Sequence, residues 1–228
     1  MPDSERLRAV LLATAIGDAI GLPFEGLAPA AVERRRARLG LEGEALDHSL
    51  VGRHGMISDD TEHACLTVLA WHDACGDVDA FGPALARRLR WWFLALPPAT
   101  GLATGRAIVR LWLGWPPERS GVDSAGNGPL MRAPVLGLLA RDDAELCLLV
   151  RSSTRMTHRD ARAEAAALLL ARWLRGRALD DLLDTLDDDA LRERSSLAAA
   201  LARAGASVAE LRASLGFEAG VSSFVGDT

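Results

Sequence analysis

The run RDARAEAAALLLARWLRG, residues 159–176, decides the fold class. Its alanines and leucines form a nearly continuous apolar side at helical spacing, and Thr157 or Asp160 can cap its start. The same period recurs on both sides. Residues 142–156 (DDAELCLLVRSSTRM) form a helix capped by acids, and 128–140 (GPLMRAPVLGLLA) another. Residues 104–114, 77–96 and 59–75 each read as a helix, with Asp77 capping the second and Pro97-Pro98 stopping it. Residues 29–40 give a short helix closed by Gly40. Residues 4–20 place Leu7, Val10, Leu11, Ala15 and Ile16 on one face, capped by Asp3 or Ser4. Two or three more helices fit between 178 and 215. No segment alternates apolar and polar residues for long, so the chain reads as an all-α, single-domain multi-helix bundle over residues 1–228. The segments 40–57 and 114–127 are glycine-rich and polar, and such loops are where function sits.

Composition narrows the classes. Hydrophobic residues make up 49% and charged residues 25% of 228, enough for one sizeable core. The net charge of −5 gives no overall basic field for nucleic acid or anionic membrane. Every basic residue other than histidine is arginine, which excludes lysine nucleophiles and Schiff bases. Cys65, Cys75 and Cys147 form no CxxC pair, so neither a disulfide framework nor a structural zinc site is expected. Cys65 and Cys75 fall in one predicted helix as core or near-surface thiols. The N-terminal apolar run carries Asp18 and no cleavage signal, and reads as a buried amphipathic helix. No run is expected to reach the ~20 apolar residues of a membrane span, so the expectation is a soluble, cytoplasmic protein.

Five short motifs carry chemistry, each with a plainer explanation. In SDDTE, residues 58–62, Asp59 as N-cap with Glu62 would make a capping box. One cap uses one carboxylate; the remaining Ser58, Asp60 and Thr61 suit a hard cation that takes oxygen ligands. In GDAIGLPFEG, residues 17–26, Gly21 is a C-cap, and Asp18 is costly in an apolar stretch unless paired or functional. Glu25 just beyond could act as general base or bind a sugar hydroxyl. In SAGNGPLMRAP, residues 124–134, a Gly-Asn-Gly turn opens a helix with an early proline. Its N–H groups can hold a diphosphate, or Asn127 simply makes a left-handed turn. In RMTHRDAR, residues 155–162, His158 sits near a helix start, where the dipole favours its neutral form. His54 and His63 say less, and His72 reads as a surface residue. TGLATGRAI, residues 100–108, lets a ligand or a neighbouring backbone approach closely.

In this order (GDAIG…E, SDDTE, TGxAT, GNGPLMR, THRD) the motifs resemble the ADP-ribosylglycohydrolases, which include the ADP-ribosyl-acceptor hydrolases and the dinitrogenase-reductase-activating glycohydrolases. The resemblance runs from about residue 7 to about 225. It implies a compact all-α bundle with a binuclear magnesium, sometimes manganese, centre in a cleft. The implied reaction is hydrolysis of an N- or O-glycosidic bond from ADP-ribose to a protein side chain or small acceptor. By position Ser58, Asp59 and Asp60 resemble the first set of metal ligands, and Glu25 the glutamate beside the scissile bond. With Glu25, Asp59 and Asp60 form the implied catalytic set. Gly126, Asn127, Gly128 and Met131 resemble the part that holds diphosphate and ribose, and His158 the histidine near distal ADP-ribose. Thr100, Gly101 and Thr104 resemble a substrate-side loop, with Thr100 where an acid is often found.

The family supplies the second half of its metal site from a C-terminal motif resembling GGDTDT, whereas this chain reads GVSSFVGDT at its end. The expectation is a C-terminally shortened domain lacking about two helices and part of the metal oxygens, with exposed apolar surface favouring a homodimer. The alternative is that Gly226, Asp227 and Thr228 stand in for that motif. The rival functions are an ADP-ribose binder without turnover or a crystallin-like structural member of the same fold, and an unrelated acidic helical domain.

Overall fold

The computed structural model describes residues 3–39, 56–97 and 100–216. The Gly40 stop, His54, and the Gly226–Thr228 alternative lie outside them. Among the described residues the chain forms twelve α-helices and no strand. In chain order these are α1 (Ser4–Gly21), α2 (Pro29–Leu39), α3 (Asp59–Asp73), α4 (Val78–Phe93), α5 (Leu102–Trp112), α6 (Pro117–Ser120), α7 (Ala133–Leu139), α8 (Asp143–Arg155), α9 (Ala161–Leu174), α10 (Leu179–Leu183), α11 (Asp189–Arg203) and α12 (Val208–Leu215). Two 3₁₀ turns, Leu22–Phe24 and Gly128–Met131, sit beside the candidate site.

The decisive run becomes α9, capped by Asp160, which accepts from Arg162 N; Thr157 is not the cap. Its alanines bring α7 close enough that a Cβ on Gly137 would stand 2.5 Å from Ala171 O. α8 and α4 complete the centre. Phe81, Leu85 and Leu89 of α4 meet Leu136 of α7 and Leu149 of α8 in one water-free cluster. Removing side chains of this size from water contributes about 2 kcal/mol each. A second small cluster of Leu183, Leu186 and Leu191 seats α10 and α11 on the outer side of α9. α1 crosses α3 and α7, so the starts of α3 and α7 and the end of α1 meet at one end of the core.

Several local expectations are corrected. α4 ends at Phe93, ahead of the prolines, and Leu96 follows in a left-handed conformation (φ 51°). α5 starts two residues earlier than its period suggests, with Gly101 as N-cap. The 114–127 segment contains α6, started by Pro117. Cys65 and Cys75 are both exposed, and Cys75 lies beyond the end of α3. Ile16 points outward, because α1 turns toward the core the face that carries Asp18. The membrane expectation also changes, since Ser4–Phe24 is long and apolar enough to cross a membrane by length and composition, with little of it buried. The same helix nevertheless anchors Asp18 in the fold.

Candidate active site

α3 begins where Ser58 leaves extended backbone, and Ser58, not Asp59, is its N-cap. Its Oγ accepts weakly from Asp60 N at 3.4 Å. The expected capping box is absent; Glu62 accepts instead from Trp92 Nε1 at 2.7 Å. Asp18 explains the hydroxyls. Its carboxylate accepts from Ser58 N (2.8 Å), Ser58 Oγ (2.7 Å), Thr61 N (3.1 Å) and Thr61 Oγ1 (2.6 Å). The apparent cost of an acid in an apolar helix is thus met by four donors. This clamp locks α1 to α3 and leaves Asp59 and Asp60 to point elsewhere.

The opposite wall is built around a buried arginine. Arg132 is fully buried and donates from Nε to Ser153 Oγ (2.8 Å) and from its terminal nitrogens to Ser153 O (3.1 Å), Thr157 Oγ1 (2.8 Å) and His63 Nδ1 (2.9 Å). Burial lowers its pKa to about 10, so it stays charged at neutral pH. An arginine cannot accept, so His63 Nδ1 is the acceptor and its proton sits on Nε2. Burial, then the Arg132 charge, drives the His63 pKa well down. Thr157 Oγ1 lies 2.9 Å from His158 Nδ1. That hydroxyl, which accepts from Arg132, also has Thr154 O within reach at 3.4 Å; on the shorter contact its proton goes to Nδ1, which leaves the His158 N–H on Nε2. Burial and Arg132, more than any helix end, hold His158 neutral with a pKa of about 4.

His158 is fixed from behind by a single parallel bridge. Val122 N donates to Thr157 O (3.1 Å), and Arg159 N donates to Val122 O (2.9 Å). Its imidazole then lies against the Gly-Asn-Gly turn. A Cβ on Gly128 would stand 2.7 Å from His158 Cε1, and one on Gly126 3.1 Å from Nε2. These positions are glycine because the ring fills the space. Asn127 is right-handed (φ −76°), and the residues after it make a 3₁₀ turn, with α7 starting only at Ala133. The expected α-helix start is therefore a shorter turn.

Glu25, Asp59 and Asp60 line the same cavity, of about 510 Å³, as Gly126, Asn127, Gly128, Met131 and His158. Gly101 and Thr104 also reach it. Two expected residues do not. Ser58 is buried behind the wall, and Thr100 lies in a neighbouring groove with its hydroxyl donated to Pro97 O. Asp18, Thr14, Ser124 and Pro134 join the lining without having been singled out as site residues. The carboxylates crowd one another. Asp59 is pushed up to about 7, first by burial, then by Asp60 and Glu25. Asp60 is raised by loss of water and by Asp18, and Glu25 by loss of water, Asp60 and Asp18.

Residues 1–227 match the family model described as ADP-ribosylglycohydrolase. This chain belongs to the ADP-ribosylglycohydrolase family. An uncharacterized protein of Archaeoglobus fulgidus is 32% identical to it over 197 residues, which cover 83% of this chain and 60% of the relative. The chain thus spans less than two thirds of the length of that relative.

An ADP-ribosylglycohydrolase raises the question of a divalent cation, and the donor set here can be tested for it. Asp59, Asp60 and Glu25 are oxygen donors whose repulsion is not relieved by any arginine ion pair among the described residues. Arg132 acts on Asp59 through space without touching it, and among the described residues Asp60 and Glu25 have no such cation, so carboxylates of this kind fit a hard cation. Yet among the described residues no three His, Cys, Asp or Glu side chains form a ready-made cage. The residues fit a cation that keeps much of its water.

Proposed function

We propose that this chain is a hydrolase that cleaves the glycosidic bond between ADP-ribose and a protein side chain or small acceptor, with Asp59 and Asp60 holding Mg²⁺ or Mn²⁺ and Ser58 supporting them. The observation that carries this reading is the meeting, in one cavity, of the Asp59–Asp60 pair, Glu25, the Gly126–Gly128 turn and His158. Divalent ions at Asp59 and Asp60 would supply Lewis-acid polarisation of ribose oxygens and lower the pKa of a bound water.

The chain's own groups take the remaining work. In the Gly126–Gly128 turn Gly126 N donates to Ser124 Oγ, which leaves the Asn127 and Gly128 N–H groups for a diphosphate, and neutral His158 donates a hydrogen bond without demanding a counter-charge. Met131 and Pro134 give the sugar an apolar wall. Glu25, with its pKa raised, is suited to accept a proton from water attacking the anomeric carbon. The bond from that carbon to nitrogen or oxygen breaks as the water oxygen bonds to the carbon, its electron pair leaves with the acceptor, and the proton that Glu25 took from water passes to the acceptor, which returns Glu25 to its starting state.

A second reading, binding without turnover, is favoured by the missing three-carboxylate cage among the described residues. Incubation with ADP-ribosyl-arginine and ADP-ribosyl-serine peptides, with Mg²⁺ or with EDTA, separates the two. Metal-dependent release of free ADP-ribose, lost in Asp59→Ala and Asp60→Ala, supports hydrolysis. Retained binding without release supports the second reading, and the absence of both binding and release removes both.

A further inference from the structure

Beside the cavity lies a surface of unusual chemistry. Between Asp79 and Glu118 the sequence has no acidic residue, yet it carries Arg87, Arg88, Arg90, Arg106 and Arg110 in a chain of net charge −5. The same stretch exposes several large apolar side chains. Leu96 is 83% exposed, Leu102 78%, Leu113 74% and Trp91 65%. On α5, Leu102, Arg106 and Val109 recur at helical spacing on the outer face, continued by the C-cap Leu113, while Thr104, Ala107, Ile108 and Leu111 face the core.

A groove runs between this face and the end of α4, lined by Phe93, Leu102, Gly105, Arg106, Val109 and Arg110. A Cβ on Gly105 would stand 3.7 Å from the Phe93 ring, so glycine keeps the groove deep. Gly101 and Leu102 line both this groove and the candidate active site, which makes the two surfaces continuous.

Among the described residues the arginines near the groove have no carboxylate partner. Arg110 donates to the Ser120 and Gly121 carbonyls and Arg90 to Leu111 O, whereas Arg87 and Arg88, farther along α4, are paired with Asp73. Arg90 stacks near Trp112 and Arg110 on Trp115, so the aromatic rings help hold the cations in place.

We infer that this groove docks the polypeptide that carries the ADP-ribose, through an acidic segment with interspersed apolar side chains next to the modified residue. The inference rests on the proposed reading of the cavity. Charge decides among occupants. A second copy placed face to face would set arginine against arginine, because a two-fold interface brings like patches together. Against a nucleic acid, the exposed Trp91 and Trp112 are packed edge-to-face at 5.8 Å instead of lying open for base stacking. An acidic, partly apolar peptide satisfies both the cations and the leucines.

The test uses two ADP-ribosyl-arginine peptides, one flanked by Glu and Leu and one by Lys and Leu, together with free ADP-ribose and a single-stranded oligonucleotide. Affinities are read by calorimetry for the full chain and for Arg106→Glu and Val109→Glu, both on the exposed face of α5. The expected result is at least about tenfold tighter binding of the Glu peptide, lost in both variants and weakened by salt, with ADP-ribose affinity unchanged. Equal affinity for the two peptides, insensitivity to both variants, preference for the oligonucleotide, or self-association abolished by these substitutions would overturn it. Should ADP-ribose itself fail to bind, the cavity reading fails; the unmodified Glu peptide then reports on the groove alone, with the same variants and the same overturning results.

Discussion

Asp18 Oδ2 accepts the Thr61 hydroxyl proton at 2.6 Å and the Thr61 backbone N–H at 3.1 Å, tying the middle of the first motif to the start of α3. The clamp gives the buried carboxylate a structural task and orients the two acids beside it. Asp18→Ala leaves the Ser58 and Thr61 donors without their acceptor. Unfolding in urea is expected to show a loss of about 3 kcal/mol. A loss below ~0.5 kcal/mol would mean that water or other groups replace the carboxylate freely.

Gly128 touches His158 so closely that even a methyl group has no room. Gly128→Ala is expected to push the imidazole out of place and weaken ADP-ribose binding by about tenfold or more, with a smaller change in stability. Calorimetry of wild type and variant checks this; unchanged affinity would remove His158 and the turn from the ligand site.

Arg132 is buried on three neutral partners and one imidazole, none of them a carboxylate. Arg132→Met removes the charge but strands Thr157 and His63, and is expected to cost about 2–4 kcal/mol in chemical denaturation. Arg132→Lys is expected to rescue only part of this, because an ammonium cannot reach four acceptors in the planar arrangement of a guanidinium.

The pH dependence has a sign that His158 fixes. Its ring in the folded chain protonates only near pH 4, while the unfolded ring does so near 6.5. Between those values the unfolded chain binds more protons, so this group lowers stability as pH falls from 6.5 toward 4 and has little effect above. The full effect is about 3 kcal/mol. Asp59, raised to about 7, acts in the opposite sense, since its contribution is lost as pH rises from 3.8 through 7. Comparing wild type with His158→Gln at pH 7.5 and pH 5 cancels the Asp59 trend. The gap between the two proteins is expected to shift toward the variant at pH 5, and a constant gap would contradict the assigned neutral ring.

Much of this was legible in the sequence because helices announce themselves by period. The α9 run, the Asp77 and Asp3 caps and the absence of strands among the described residues all follow from local spacing. The cavity residues were legible through the ordered motifs, and Glu25, Asp59, Asp60, Gly126, Gly128 and His158 do meet in space. What was hidden depends on contacts distant along the chain. The acid at position 18 signalled a partner, but nothing in its neighbourhood says that the partner lies 40 residues on, at Ser58. Arg132 follows Met131 as one more surface-type residue until α3 and α8 close over it, and His63 is silent for the same reason. Thr100 was misplaced because the residues before α5 bend its hydroxyl back to Pro97.

The most direct test is an electron paramagnetic resonance titration of Mn²⁺ with the full chain, following the signal of the free hydrated ion. The account predicts that the wild-type protein depletes this signal, that Mg²⁺ restores it by competition, and that Asp59→Asn with Asp60→Asn no longer depletes it. A free-ion signal unchanged by wild type, or depleted equally by the double variant, would show that these two carboxylates do not gather a divalent cation.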